Sequence, residues 1–171
     1  MPSILSWSHA VLGSTPARWT AFVEQLPDEL LRRPPLPGEW SAWECLHHLV
    51  ETEQFVFPVR VRNFLEGRDL AAFNPEPGRH PEGVPGPQEL ARSFASIRQD
   101  SLKLLGSLQE RDLARTARHE ELGLVTLGQM LHEWAGHDLM HTVQAEQAMM
   151  QPFIQGCGPW LPYFTDHIAG K

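Results

Sequence analysis

The sequence carries only two cysteines, a single tyrosine, fewer basic than acidic residues and no long apolar run. Cys45 and Cys157 could make one disulfide at most. Cys45 sits in an apolar helical pattern where a small buried residue fits, so both are expected to be free thiols. With 14 Lys and Arg against 21 Asp and Glu, the formal charge is −7. That balance gives no electrostatic footprint for nucleic acid or an anionic membrane surface, and neither is expected as a partner. No stretch approaches the roughly 20 apolar residues needed to cross a bilayer, and the first residues lack a basic start followed by an apolar core. A cytoplasmic location is therefore expected. The Gly-containing segments match no phosphate-loop pattern.

What is present is helical periodicity. A length of 171 residues suits one domain spanning 1–171, with 42% hydrophobic and 20% charged residues. Thr15 as N-cap with Pro16 at the first helical position predicts helix one, carried by Trp19, Phe22, Val23 and Leu26. Residues 27–33 read as a short extra turn before the proline-rich break at 34–38. Ser41 with Glu44 three residues on is a capping box and opens helix two, expected to reach about Leu65 with a kink at Pro58. The proline and glycine density of 74–87 predicts a long connection. Helix three starts near Gln88 and carries Leu90, Phe94, Ile97, Leu102, Leu105 and Leu108. After a polar stretch at 109–121 and a short extended lead-in at 122–126, Thr126 and Gln129 form a second capping box. Helix four is expected to end near Gln151, stopped by Pro152, with an apolar tail packing back on the body or on a second subunit.

Histidine is the chemically informative residue type. His137 and His141 are four apart and so lie one turn apart on one helix face. They fall on the stripe Met130, Trp134, His137, His141, Gln144, Ala148, which reads as the inward face of helix four. On helix two the inward stripe is Ser41, Cys45, His48, Thr52, Phe55, Val59, which turns His48 inward and His47 about 100° away. Three imidazoles converging inside a bundle each need a partner for their ring nitrogens, and one shared metal ion satisfies all three. Three protein ligands leave positions open for water or substrate, the mark of a catalytic rather than a structural zinc site. Zinc, nickel and iron all accept imidazole.

Other signals are weaker. His132 and Glu133 followed by His137 resemble the zinc-protease pattern, but the second histidine comes one residue too late to share the face. Glu51, Glu53 and Asp138 are candidates to orient a ligand, although helix carboxylates are usually solvated. Gln144, one turn beyond His141, is a candidate hydrogen-bond partner of a ligand or of metal-bound water. His9, His80, His119 and His167 read as surface groups.

Trp40, Ser41, Glu44, His48 and Leu49, followed by a Gly-x-Val-Thr lead-in and then His137, Asp138, His141 and Gln144, resemble the DinB/YfiT-like superfamily. The resemblance implies an all-α four-helix bundle with a long crossover between helices two and three, and often a homodimer. It also implies a divalent metal, zinc or nickel first and iron as a third choice, held by His48, His137 and His141. Enzymes of the family include transferases and isomerases that use a low-molecular-weight thiol such as bacillithiol or mycothiol, and metal-dependent hydrolases. A thiol S-transferase acting on a small-molecule substrate is the leading expectation. A hydrolase, or a non-catalytic stress-related metal-binding protein, is the alternative.

Overall fold

The computed structural model describes residues 3–73 and 83–170. Its helices are α1 (Ile4–Gln25), α2 (Asp28–Arg32), α3 (Ala42–Phe55), α4 (Phe57–Glu66), α5 (Pro87–Gly106) and α6 (Leu127–Gly156). A two-stranded hairpin, β1 (Thr116–His119) and β2 (Gly123–Thr126), precedes α6, and 3-10 turns follow α5 and α6. Most of the 74–87 connection, with His80, lies outside the described residues.

Helix one begins earlier than its proline suggests. Ser3, not Thr15, is the N-cap, accepting from the Ser6 amide. Thr15 lies inside α1 with its hydroxyl donating to the Val11 carbonyl at 3.0 Å, and Pro16 is an interior helical residue. An interior proline removes the amide that would bond the carbonyl four residues back. That carbonyl, on Leu12, instead accepts from Arg98 Nη1 at 2.9 Å, so a neighbouring helix supplies the missing donor.

Helix two forms on its capping box: the Ser41 hydroxyl accepts from the Glu44 amide, and the Glu44 carboxylate accepts from the Ser41 amide at 2.7 Å. It breaks at Val56, two residues ahead of Pro58, where the proline ring and its missing donor oppose continued winding. The break rotates the following turn. Phe55 and Val59, expected on the inward stripe, are exposed, while Val56, Phe57, Val61 and Phe64 take the buried positions. Leu108 falls beyond the end of α5 but is still buried. Pro152 does not stop α6, whose last turn runs to Gly156 because Ile154 is buried there. The tail returns to the body through Gln151, which donates to the His167 carbonyl and accepts from the Ala169 amide.

The polar stretch after α5 is more ordered than its composition suggests. β1 and β2 pair antiparallel with Ala117 opposite Val125 and His119 opposite Gly123, and the Leu70 backbone bonds alongside β1. The Thr126 and Gln129 capping box then starts α6. Gly128, a poor helix former, lets the chain pass close there: a Cβ would sit 3.3 Å from the Leu113 carbonyl oxygen, which would have to give by a few tenths of an ångström.

α1 and α3 each pack on both α5 and α6, so they sit diagonally across a four-helix bundle and α6 lies beside α3. Two apolar clusters fill the bundle. One holds Trp19, Leu46, Leu49, Phe94, Ala145 and Met149. The other holds Leu12, Phe57, Phe64, Leu105, Leu131 and Trp134. On α6 the span between Trp134 and Ala145 joins the two clusters, on α3 the span after Val50, and on α5 the span after Phe94. Those spans contain the buried polar residues His141, Asp138, Thr52, Glu53, Arg98 and Ser101. The bundle thus has a polar layer at mid-height. Among the described residues no helix is long and apolar enough to cross a membrane.

Candidate metal centre

The capping box fixes the start of α3, and seven residues later it presents His48 toward α6. There His137 and His141 stand one turn apart. One ligand atom from each of the three histidines lies within 4.8 Å of the others. His48 and His141 are buried and His137 is half-buried. The His48 and His137 Nε2 atoms face each other at 3.0 Å. His141 Nδ1 lies 2.9 Å from Gln144 Oε1. An amide oxygen only accepts, so this bond puts the His141 proton on Nδ1 and leaves Nε2 with a free lone pair. His47 turns outward and faces Glu51 at 3.7 Å. His132 is exposed, in keeping with the failed protease pattern.

Aromatic rings wall the cluster. Trp40 lies 4.9 Å from the His48 ring and stacks on His141 at 5.6 Å, while Phe57 meets His137 edge-on at 5.1 Å. Burial in this environment disfavours the imidazolium form. Burial first, and then the neighbouring His141 and His47, push His48 down to about 4. Burial, His141, His48 and Arg98 push His137 down to about 3. Burial also lowers His141, opposed by Gln144 and Asp138. At neutral pH all three are neutral imidazoles, the form that ligates metal.

The residues fit a divalent ion. Two of the ligand nitrogens already sit at a separation close to the roughly 3.0 to 3.4 Å expected for neighbouring ligands with metal–nitrogen bonds of about 2.0 to 2.1 Å. With each proton on Nδ1, the Nε2 lone pairs of His48 and His137 face each other at 3.0 Å, and a shared cation would take both. The charge also fits. Glu53, Asp138 and Arg98 sum to −1 and lie in the same polar layer.

Asp138 and Glu53 are not solvated, and they do not orient a ligand. Arg98 Nε and Nη2 donate to the two Glu53 oxygens, both at 2.8 Å. Arg98 Nη1 and Nη2 donate to the two Asp138 oxygens at 2.6 and 3.1 Å. All three side chains are only 1% exposed. Burial alone would lower Arg98, but the Asp138 and Glu53 carboxylates hold it above its ordinary value. Both forks of each carboxylate are spent on the guanidinium, which is why neither reaches a histidine. Sequence reasoning passed over Arg98. The available signal was its place on the stripe Phe94, Arg98, Ser101, Leu105, all buried.

His119, expected at the surface, is also buried, and its Nε2 lies 3.0 Å from Arg60 Nη2. Both line a cavity of about 390 Å³ that opens onto His48, His137 and His141, with Trp40, Phe57, Phe73 and Met140 among its apolar walls and Glu121 and Glu133 among its polar ones. A second cavity, about 580 Å³, lies on the other side of Trp40 and His141 under the C-terminal tail.

Neither cysteine joins the centre. Burial and the Glu44 charge push the Cys45 thiol up to about 12. At about pH 8 its thiolate fraction is then about one in ten thousand. In the native protein a thiol reagent such as DTNB is expected to titrate only the half-buried Cys157, with Cys45 reacting after unfolding. Two rapid native equivalents would show the burial of Cys45 to be wrong.

Residues 12–145 match the sequence model of the DinB superfamily. No curated protein matches the chain. Among solved structures the chain is similar to YfiT from Bacillus subtilis, described as a probable metal-dependent hydrolase with an unusual four-helix bundle topology. The TM-score is 0.72 at 19% identity, over 87% of each chain. At that identity the likeness establishes a shared bundle fold. With the family match spanning most of its length, this chain belongs to the DinB superfamily.

Proposed function

We propose that this protein is a metal-dependent enzyme in which His48, His137 and His141 hold a divalent ion. Its reaction is the transfer of a low-molecular-weight thiol to an electrophilic small molecule. The observation that carries this reading is a three-imidazole cluster on the wall of a cavity that offers no free hydroxyl or thiol among the described residues. The cavity's one hydroxyl, on Thr52, is committed to the His48 and Leu49 carbonyls at 3.0 and 3.2 Å. The Cys45 thiol is fully buried and held protonated.

A divalent ion at this position supplies Lewis acidity, which lowers the pKa of a bound thiol or water. The chain's own residues do the rest. Gln144 fixes the tautomer and ring plane of His141. Trp40 and Phe57 keep the imidazoles dry and therefore neutral. Phe73 and Met140 give the cavity the apolar wall that a hydrophobic electrophile needs.

Hydrolysis is the second reading, favoured by the Glu121 and Glu133 carboxylates on the same cavity wall, either of which could act as a base toward water. A thiolate nucleophile needs no such base. Monochlorobimane supplied with a panel of candidate thiols separates the two. Turnover dependent on one thiol and abolished in His141→Ala supports transfer. Silence with every thiol, together with ester or amide hydrolysis, supports the second reading.

A further inference from the structure

His119 is caught between donors. Its Nδ1 accepts from the Glu121 and Leu122 backbone amides at 3.2 and 3.4 Å, contacts fixed by the β1–β2 turn. A neutral imidazole that accepts at Nδ1 carries its proton on Nε2. That Nε2–H faces Arg60 Nη2, another donor, at 3.0 Å. Arg60 Nη2 also donates to the Ala71 carbonyl at 3.2 Å, and among the described residues the carboxylate paired with Arg60, on Glu133, is 3.7 Å from Nη1 and half exposed. His119 is 6% and Arg60 9% exposed, so water does little to relieve the opposition of two donors. Among the described residues the His119 Nε2–H has no acceptor.

We propose that Arg60 and His119 form an oxyanion subsite in the cavity that opens onto His48, His137 and His141. The substrate is then a small molecule with an apolar body and a carboxylate end. A carboxylate oxygen placed between the two groups would accept from both, turning an opposed contact into two charge-assisted hydrogen bonds, the one from Arg60 also an ion pair. The cavity supplies the remaining specificity. Phe57, Phe73 and Met140 take the apolar body, and the far end of such a molecule reaches the three histidines. With Glu121 and Glu133 in the same wall, the local charge favours a monoanion over a dianion. This assignment rests on the reading of the histidine cluster as the reactive centre, but its test does not depend on turnover.

The probes are 4-phenylbutyrate and 4-phenylbutyramide, titrated by calorimetry or ligand-observed NMR into the full chain as purified, with metal content measured on the same samples. The carboxylate is expected to bind about tenfold or more tighter than the amide, as a charge-assisted bond implies. Arg60→Met removes that preference, weakening the carboxylate far more than the amide, and leaves metal content unchanged. Glu133→Gln, at a half-exposed position that puts folding at little risk, has the opposite effect and tightens the carboxylate alone. Equal binding of the two probes by the wild type, or no binding of either, overturns the proposal. So does a carboxylate preference that survives Arg60→Met, since the anion would then be held elsewhere. A wild type that contains no metal while Arg60→Met still abolishes the preference would sink the metal reading and leave the subsite standing.

Discussion

Arg98→Met is expected to destabilise the protein by about 3 to 5 kcal/mol, the scale found when one partner of a buried ion pair is removed. Domains of this size unfold at a cost of about 5 to 15 kcal/mol, so the loss takes a large part of the total. Two consequences of the substitution add up. Glu53 and Asp138, each 1% exposed, lose the only cation bonded to them among the described residues. The Leu12 carbonyl also loses its donor, and Pro16 has no amide to replace it. Urea denaturation at neutral pH measures the effect, and a difference from wild type under about 1 kcal/mol would refute it. Removing all three charges together, as Arg98→Met with Glu53→Met and Asp138→Leu, is expected to recover most of the stability, because an apolar replacement of a complete buried network is often neutral. Only the Leu12 carbonyl then stays unsatisfied, at about 1 to 3 kcal/mol.

That network also marks the limit of what the sequence could tell. Helix order, both capping boxes and the inward placement of His48, His137 and His141 follow from spacing, since a period of 3.6 assigns each residue to a face. Pairing between helices does not follow from periodicity. An arginine on the buried stripe of α5 draws no reading, and the carboxylates on α3 and α6 read as solvated groups or ligand-orienting acceptors, until the bundle brings all three within 3.1 Å. Prolines misled for the same reason. Pro16 and Pro152 were expected to bound helices, but a single missing amide is tolerated where Arg98 replaces the donor or where Ile154 is buried beyond it. Pro58 did break its helix, and the rotation of the turn that follows left Val59 exposed. His119 was misread because its burial depends on a hairpin only four residues per strand, too short for an alternation pattern to announce.

His48→Ala, His137→Ala and His141→Ala are each expected to lose bound metal, with affinity falling at least about 100-fold, because two imidazoles in place of three leave the ion weakly held. Gln144→Leu keeps all three ligands but frees the His141 ring, and a loss of about 10- to 100-fold is expected for a partner of that kind. Metal analysis by plasma emission gives the stoichiometry, and thermal unfolding with and without chelator gives the linked stability. At a free metal concentration about 1,000 times the dissociation constant, binding stabilises the folded state by about 4 kcal/mol. In the alanine variants that increment vanishes, and chelated His48→Ala and His137→Ala unfold close to chelated wild type, since each substitution also removes a buried Nδ1 without a hydrogen-bond partner. Burial holds His48 at about 4 and His137 at about 3, so protons do not displace metal from these two between about pH 7 and about pH 5. Exposed histidines, titrating near 6.5, would release it across that interval. Unchanged metal content in all three alanine variants would remove the centre from the account.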